Sequence, residues 1–325
     1  MTNEVDSTST DFVVPSSNAS FGKLIRHFLE LVRFSHTVFA LPFAALASVL
    51  ALTAPSRAEP LDAITIALRL IGVVLCMVFA RSAAMAFNRL ADARIDAANP
   101  RTATRHIPSG ILSYRQVVGF FLLNSAAFLG ACFLFWPNWL PAALSIPVLA
   151  WICGYSLAKR FTSAAHLWLG VALALSPICA WIAIRGEVVL QSPSDLLPSV
   201  LLASAIAFWV AGFDIIYACQ DAEFDRSSGL HSIPARFGVS GAMRISATFH
   251  LVMLGLLFSI PYCCPQLSLN WLYLSAVALV ALLVIREHSI VSPQDMRRVG
   301  EAFFTINAII SIGLSTIAII DACLR

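Results

Sequence analysis

Two groups of side chains in this sequence have the residue types and the spacing needed to bind a metal ion together. They are Asn88, Asp92 and Asp96, and then, in a matching Asp-x3-Asp pattern offset by 129 residues, Asp214, Tyr217, Asp221 and Asp225. Residues three or four apart lie on the same face of an α-helix, so each group is predicted to form one stripe. Like charges at this spacing destabilise a helix unless a cation lies between them. Carboxylate oxygens from two helices, with coordination positions left open, suit Mg²⁺ that also binds a substrate phosphate.

The alternative for either stretch alone is a solvated helix end, where a pair of acids is common. Two such stretches, each continuing back into an apolar segment, favour a functional site. Asp214 is the strongest evidence for a functional site, because an acid one or two turns inside a membrane span is costly and usually functional. Glu223 lies off the second stripe and is predicted to be solvated.

The elements that must position these residues are predicted to be membrane-spanning helices. Of the 325 residues, 59% are hydrophobic and 12% charged, with a mean hydropathy of +0.82, whereas a soluble domain carries about 25% charged residues. The net charge of +3, with its Lys and Arg scattered, gives no indication of nucleic-acid binding. Apolar segments of about 20 residues span a bilayer. They are predicted at 36–54, 63–88, 115–135, 139–157, 164–184, 198–218, 241–262, 269–285 and 301–321.

The predicted fold is therefore all-α, a polytopic membrane protein with nine transmembrane helices in one domain, residues 21–325. Residues 1–20 are rich in Ser, Thr and Asn and are predicted to form a disordered tail. With a cytoplasmic N-terminus, 16 of the 21 Lys and Arg residues fall on the cytoplasmic side, four fall on the other, and Arg81 lies inside a span. The positive-inside rule expects this bias. Four spans separate the acidic stretches, an even number, so both are predicted to emerge at the cytoplasmic face of the inner (plasma) membrane.

Basic residues follow each acidic stretch closely. Arg101 and Arg105 follow the first, His231 and Arg236 follow the second, and Lys159 ends the fourth predicted span. Any one of these basic residues is most simply an anchor at the membrane surface. Acids for Mg²⁺ beside bases for phosphate oxygens, however, are the usual parts of a diphosphate site.

These stretches resemble the UbiA superfamily of intramembrane aromatic prenyltransferases. NRLADARIDAANPRTATRHIPSG, beginning at Asn88, is similar to the first Asp-rich motif of that family and the loop after it. YACQDAEFDRSSGLHSIPARFG, beginning at Tyr217, is similar to the second motif, and GYSLAKRFT, residues 154–162, is similar to the family's turn after span four. The resemblance runs from about Leu31 to the C-terminus.

The resemblance implies nine helices around a central cavity that opens toward the cytoplasm and, laterally, toward lipid. It implies a set of ligands for Mg²⁺ and, through it, for the diphosphate of a polyprenyl substrate: Asn88, Asp92, Asp96, Asp221 and Asp225. Arg101, Arg105 and Lys159 would contact the diphosphate or the aromatic acceptor. Further substrate contacts are predicted at Asp214, Tyr217 and His231. Catalysis is predicted to depend most on Asp92, Asp221, Lys159 and Arg105.

Two departures from the family pattern bear on the acceptor. The first motif of the family commonly begins Asn-Asp, and here its second position is Arg89. Where many relatives have Lys after the second motif, this chain has His231. Both departures are similar to a branch that acts in menaquinone synthesis through futalosine. The predicted reaction is transfer of a polyprenyl group to an aromatic acid, either 4-hydroxybenzoate or a carboxynaphthoate, in ubiquinone or menaquinone synthesis. Arg89 itself is predicted to point away from the metal stripe.

The predicted mechanism is ionisation of the diphosphate, since Mg²⁺ and cationic side chains neutralise the charge that develops on this leaving group. The ring would then attack the allylic cation in a cavity that excludes water. The alternatives are a secondary transporter that uses membrane carboxylates, or another Mg²⁺-dependent lipid transferase, such as one for phospholipid head groups. Transporter sites lie near the bilayer midplane, whereas most of these acids lie at predicted helix ends. Head-group transferases place their acids in one compact motif, and here the two stretches are far apart.

Overall fold

A computed structural model of the chain describes residues 21–32, 39–55, 61–292, 296 and 298–324. The predicted disordered tail, residues 1–20, lies outside the described residues. The helices in chain order are α1 (Phe21–Leu31), α2 (Leu41–Thr53), α3 (Ala63–Ala91), α4 (Ala93–Ala98), α5 (Tyr114–Ala131), α6 (Leu140–Ala158), α7 (Ala165–Gln191), α8 (Leu197–Ala218), α9 (Ala222–Ser227), α10 (Ile233–Cys263), α11 (Trp271–Ile290) and α12 (Asn307–Cys323).

Among the described residues, eight helices are long and apolar enough to cross a bilayer, and they contain α3, α5, α6, α7, α8, α10, α11 and α12. The first predicted span, 36–54, is represented by α2, which is apolar but comprises 13 residues. Part of that span, 36–38, falls outside the described residues. The predicted polytopic all-α membrane fold is confirmed.

Helix α7 continues seven residues beyond its predicted end at residue 184. The charged residues Arg185 and Glu187 follow the predicted end. In the structure Arg185 is 1% exposed, and its guanidinium donates to the Asp195 carboxylate at 2.7 and 2.9 Å. Glu187 accepts from the buried Arg69 at 2.7 Å. A helix can carry these charges at the membrane boundary because each one has a partner from another segment.

At Arg185 the backbone leaves helical geometry (φ −127°, ψ 21°), and α7 kinks. A kink frees carbonyls that would otherwise accept hydrogen bonds within the helix. The Asn138 side chain donates to the carbonyls of Ile182 and Ala183 at 2.7 and 3.3 Å. Arg69 donates to the carbonyl of Ile184 at 2.6 Å. The kink is therefore held by side chains from two other segments.

Helix α8 lies at the centre of the bundle and packs against α7 and α10, with most of its residues buried. Gly170 lets α7 approach it closely, since a Cβ on Gly170 would lie 2.2 Å from the Ala207 carbonyl oxygen. On the other side, Ser246 of α10 donates to the Gly212 carbonyl at 2.8 Å. This close packing fixes the end of α8, where the second acidic stretch begins.

Helix α10 begins at Ile233, eight residues before the predicted span 241–262. Ser232 caps it by accepting from the backbone N–H of Ala235 at 3.3 Å. The helix is then broken at Gly238, whose φ of 71° and ψ of 169° are strained for residues with a side chain. Residues 233–237 therefore form a short helical segment that precedes the predicted span 241–262.

Labelling experiments should place the two acidic loops on one side of the membrane. In a variant lacking the exposed native Cys263 and Cys323, we expect Ser109→Cys and Ser228→Cys to react with an impermeant thiol reagent from the cytoplasmic side. Ser194→Cys, between α7 and α8, is the control and should react only from the opposite side. Labelling of the two loops from opposite sides would contradict a shared site.

Candidate active site

Helices α3 and α8 both lead into an aspartate that begins a short helix. Asp92 (φ −93°, ψ 4°) joins α3 to α4, and Asp221 (φ −103°, ψ 6°) precedes α9. Asp96 and Asp225 lie in the first turns of α4 and α9, and both are buried. The two Asp-x3-Asp motifs therefore share one local geometry.

The predicted stripes are interrupted at these junctions. Helix α3 ends before Asp92, and a short 3-10 turn, Cys219–Asp221, follows α8. The backbone bonds from Asp92 to Asn88 (2.9 Å) and from Asp96 to Asp92 (2.7 Å) are nevertheless kept. Residue spacing predicts which residues share a face, but it does not predict that the helix changes direction at the aspartate itself.

The two motifs line one polar cavity of about 290 Å³. The predicted site residues in its lining are Asn88, Asp92, Asp96, Arg101, Arg105, Lys159, Asp214, Tyr217, Asp221 and Asp225. The structure does not bring His231 into this lining. The His231 side chain is exposed, and its backbone N–H donates to the Lys159 carbonyl at 2.7 Å.

Asp221 is held by the loop that follows the first motif. The Arg101 guanidinium donates to both of its carboxylate oxygens, with a distance of 2.8 Å from Nε to Oδ1. Asn99 donates to the same Oδ1 at 3.2 Å. Arg101 also donates to the Tyr217 hydroxyl at 3.0 Å. The loop of one motif is thus paired with the acid of the other.

Asp96 is paired within its own motif. Arg105 Nη1 donates to its two carboxylate oxygens at 2.7 and 2.9 Å. Arg89, which was expected to point away from the stripe, instead lines the cavity with its Nη1 atom 3.9 Å from Asp96 Oδ2. The same Nη1 donates to the Asn88 side-chain oxygen at 3.2 Å. A guanidinium group therefore lies beside the carboxylates of the first motif.

The other two aspartates have more distant cationic neighbours. Asp92 Oδ1 lies 3.5 Å from Arg160 Nη2, and Asp225 Oδ2 lies 3.6 Å from Lys159 Nζ. Asp225 Oδ2 is buried and has no hydrogen-bond partner. Burial and the neighbouring Asp96 charge raise the pKa of Asp92 above its ordinary value, and Arg160 offsets part of that shift.

The structure adds a residue that sequence reasoning missed. His166, at the start of α7, is fully buried, and its Nδ1 lies 2.6 Å from Asp214 Oδ2. The backbone N–H of Ile233 donates to His166 Nε2 at 3.4 Å, so Nδ1 carries the proton that is shared with Asp214. The available signal was a single histidine within one turn of the cytoplasmic end of a predicted span. Asp214 likewise lies about one turn from the cytoplasmic end of its own predicted span. Arg160 and Asn99 were also not assigned to the site, although they lie beside residues that were.

An apolar cavity adjoins the polar one. The two share a boundary formed by Arg81, Met85, Tyr155, Leu169 and Leu173. Beyond this boundary the walls come from α3, α5, α6 and α7 and are almost entirely apolar. The site can therefore accommodate a ligand with a charged head and a long hydrocarbon chain.

The donor set fits a divalent cation such as Mg²⁺. Four carboxylates from two helix junctions face one cavity, and Mg²⁺ takes oxygen ligands and retains bound water and phosphate. The buried Asp225 Oδ2 without a hydrogen-bond partner is the kind of atom that such an ion would satisfy.

A sequence model described as the UbiA prenyltransferase family matches residues 40–309. The chain belongs to this family. It is an integral, multi-pass membrane prenyltransferase, as the motif resemblance predicted.

Relatives of this UbiA prenyltransferase include two named 4-hydroxybenzoate octaprenyltransferase. The one from Methylobacillus flagellatus is 28% identical over 71% of this chain and 73% of its own length. The one from Nitrosomonas eutropha is 31% identical over 73% of this chain and 78% of its own length.

Two solved structures have the same fold. A UbiA homologue from Aeropyrum pernix K1, in its apo form, matches with a TM-score of 0.75 and 32% identity over 88% of this chain and 98% of its own. A UbiA homologue from Archaeoglobus fulgidus, bound to DMAPP and Mg²⁺, matches with a TM-score of 0.57 and 17% identity over 89% of this chain and 99% of its own.

Proposed function

We propose that this UbiA prenyltransferase transfers a polyprenyl group from polyprenyl diphosphate to an aromatic carboxylic acid at the cytoplasmic face of the plasma membrane. The observation that carries the proposal is the pair of adjoining cavities, one lined by aspartates and basic residues and the other apolar. The diphosphate would occupy the first, and the hydrocarbon chain would extend into the second.

The four aspartates would hold Mg²⁺ together with the diphosphate: Asp92, Asp96, Asp221 and Asp225. When bound, Mg²⁺ would act as a Lewis acid that stabilises the charge developing on the leaving diphosphate. Asn88, which lines the same cavity and whose side-chain oxygen accepts from Arg89 at 3.2 Å, would be a further ligand. The Archaeoglobus fulgidus homologue, which has the same fold, is bound to Mg²⁺ and DMAPP, and this supports a role for the ion.

Basic residues would exchange partners when substrate binds. Arg101, Arg105 and Lys159 now pair with Asp221, Asp96 and Asp225. The two arginine guanidinium groups can donate two hydrogen bonds to a phosphate just as they do to a carboxylate, and the Lys159 ammonium group can donate to a phosphate oxygen. Neutralising the carboxylates would free the three cations to contact the diphosphate. The ion pairs would thus keep the site compact until substrate arrives.

Aromatic side chains of the polar cavity would surround the prenyl carbon as it ionises. Tyr217 and Phe303 line the polar cavity with ring centroids 4.3 Å apart, and Phe213 lies 5.3 Å from Phe303. The faces of aromatic rings attract cations, so these rings would stabilise an allylic cation. They also exclude water, which would otherwise capture that cation.

The acceptor is proposed to be 4-hydroxybenzoate or a related carboxynaphthoate. The names of the relatives favour the first, whereas Arg89 in the first motif favours the second. Either acid would pair its carboxylate with an arginine of the cavity. Secondary transport is less well supported, because Asp92, Asp96, Asp221 and Asp225 lie beyond the ends of α3 and α8 and transporter sites lie near the midplane.

The test is a prenyl-transfer assay on purified protein in detergent with Mg²⁺ and a labelled polyprenyl diphosphate. Each aromatic acid is offered separately, and products are identified by mass spectrometry. We expect a prenylated product from one of the two acids and none without Mg²⁺. Absence of product from both acids would refute the proposal.

Arg105→Ala should weaken the apparent affinity for at least one substrate. The substitution removes a guanidinium that faces the cavity and that donates from Nη1 to both carboxylate oxygens of Asp96. We expect KM for the diphosphate or the acid to rise about tenfold or more, the effect typical of a hydrogen bond to a charged group. Arg105→Lys should be intermediate, because it keeps the charge but has fewer hydrogen-bond donors. The control is the exposed Arg94→Ala. Unchanged KM values for both substrates in Arg105→Ala would contradict this role.

A further inference from the structure

Helix α1 and the loop after the first motif bring two histidines and a glutamate together outside the polar cavity. His27 and Glu30 lie one turn apart on α1, and His106 follows Arg105 in the loop. His27 Nδ1 lies 3.5 Å from Glu30 Oε2, and His106 Nε2 lies 3.7 Å from the same oxygen. One ligand atom from each residue falls within 4.8 Å of the other two.

These separations are longer than good hydrogen bonds and close to those between ligands of one metal ion. An N–H···O hydrogen bond spans about 2.7–3.2 Å. In a tetrahedral zinc site with bonds of about 2.0–2.2 Å, neighbouring ligand atoms are about 3.4 Å apart. The His27 Nδ1 atom is also buried and has no hydrogen-bond partner. Two imidazoles converging on one carboxylate oxygen therefore leave room for a cation between them.

The charges around the cluster suit a metal ion. Arg26 Nε donates to Glu30 Oε1 at 2.8 Å, which leaves Oε2 facing the histidines. Two imidazole nitrogens and one carboxylate oxygen therefore face one another in this cluster.

We propose that His27, Glu30 and His106 form a binding site for one Zn²⁺ ion, with water as the fourth ligand. Imidazole nitrogens with one carboxylate suit Zn²⁺, whereas Mg²⁺ takes oxygen ligands. The ion would link α1 to the loop that carries Arg101 and Arg105. This site is separate from the proposed Mg²⁺–diphosphate site and goes beyond the prenyl-transfer proposal.

The test measures Zn²⁺ binding in an Asp92→Asn/Asp221→Asn background with excess Mg²⁺, so that the aspartate site does not contribute. Metal-free protein in detergent is titrated with Zn²⁺ against a chromophoric chelator. We expect one Zn²⁺ per chain, with the affinity falling tenfold or more in His27→Ala and in His106→Ala, since even an indirect partner of a ligand is worth about 10–100-fold. The exposed His231→Ala is the matched control and should bind as the background does.

Two further measurements distinguish a specific Zn²⁺ site from non-specific binding of Zn²⁺ to the protein surface. Co²⁺ in place of Zn²⁺ should give the intense visible absorption of a tetrahedral centre, and this should be lost in Glu30→Gln, which keeps the size of the side chain. Zn²⁺ should also slow amide hydrogen exchange in residues 99–113 in the background protein and not in His27→Ala. The proposal is overturned if the background protein binds no Zn²⁺, or if a His27→Ala/His106→Ala double variant binds it equally well. Because prenyl transfer is not measured, the outcome is independent of the proposed function.

Discussion

Replacing Asp92 or Asp221 with Asn should nearly abolish prenyl transfer while leaving the fold intact. Asn keeps the shape and one oxygen of the side chain but loses the charge that would hold Mg²⁺. Removing one electrostatic contact to a transition state typically costs about 10²–10³ in rate, and loss of the ion should cost at least that. The measurement is kcat for each variant in detergent across a Mg²⁺ titration, with thermal melts alongside.

The two variants should differ in stability in a way that the structure explains. Asp221 is paired with Arg101 and Asn99, so Asp221→Asn removes an ion pair from a partly buried site. Asp92 lies beside Asp96 and is held less closely by Arg160, so Asp92→Asn relieves repulsion. Glu223→Gln is the control, since Glu223 is exposed and outside the cavity lining, as predicted. Near wild-type turnover in Asp92→Asn or Asp221→Asn, or full activity of the wild type in excess chelator, would refute the metal–diphosphate mechanism.

Asp195→Ala should produce the largest loss of stability expected from a single side chain outside the site. Asp195 accepts three hydrogen bonds, two from the buried Arg185 and one from Trp181 Nε1 at 2.9 Å. Without it the Arg185 charge stays buried with no counter-charge, which typically costs about 3–5 kcal/mol. The measurement is unfolding in mixed detergent micelles, monitored by circular dichroism.

The remaining contacts of Arg185 make a graded series possible. Arg185 also donates to the carbonyls of Ala54 and Pro55 at 3.0 and 2.7 Å, so it satisfies the end of α2 as well. Asp195→Asn keeps the shape and should fall between wild type and Asp195→Ala. Arg26→Ala, in metal-free protein, is the surface control, because that Arg side chain is 79% exposed and exposed ion pairs contribute little to stability. An Asp195→Ala variant as stable as Arg26→Ala would contradict the role of the buried pair.

Much of the fold could be predicted from the sequence because membrane spans are local features. Runs of about 20 apolar residues can satisfy their backbone in lipid only as helices. The short polar stretches 136–138 and 266–268, which separate neighbouring predicted spans, lie between α5 and α6 and between α10 and α11. The predicted span 164–184 ends just before Arg185, whereas α7 continues to Gln191, because the packed structure supplies Asp195 as a partner for the buried Arg185.

For the active site, helical spacing and an even number of spans predicted which residues would lie near each other. The structure places Asp92 and Asp221, which are 129 residues apart in the chain, in the lining of one cavity. The partners of the acids are seen only in the folded protein: Arg101 pairs with Asp221 of the other motif, and His166 pairs with Asp214. Spacing along a chain fixes which face a side chain occupies, whereas a contact across the bundle depends on how closely the helices pack. Here the distance between α7 and α8 is set by close approaches such as that of Gly170 to α8. The spacing of residues along the sequence does not predict this distance between helices.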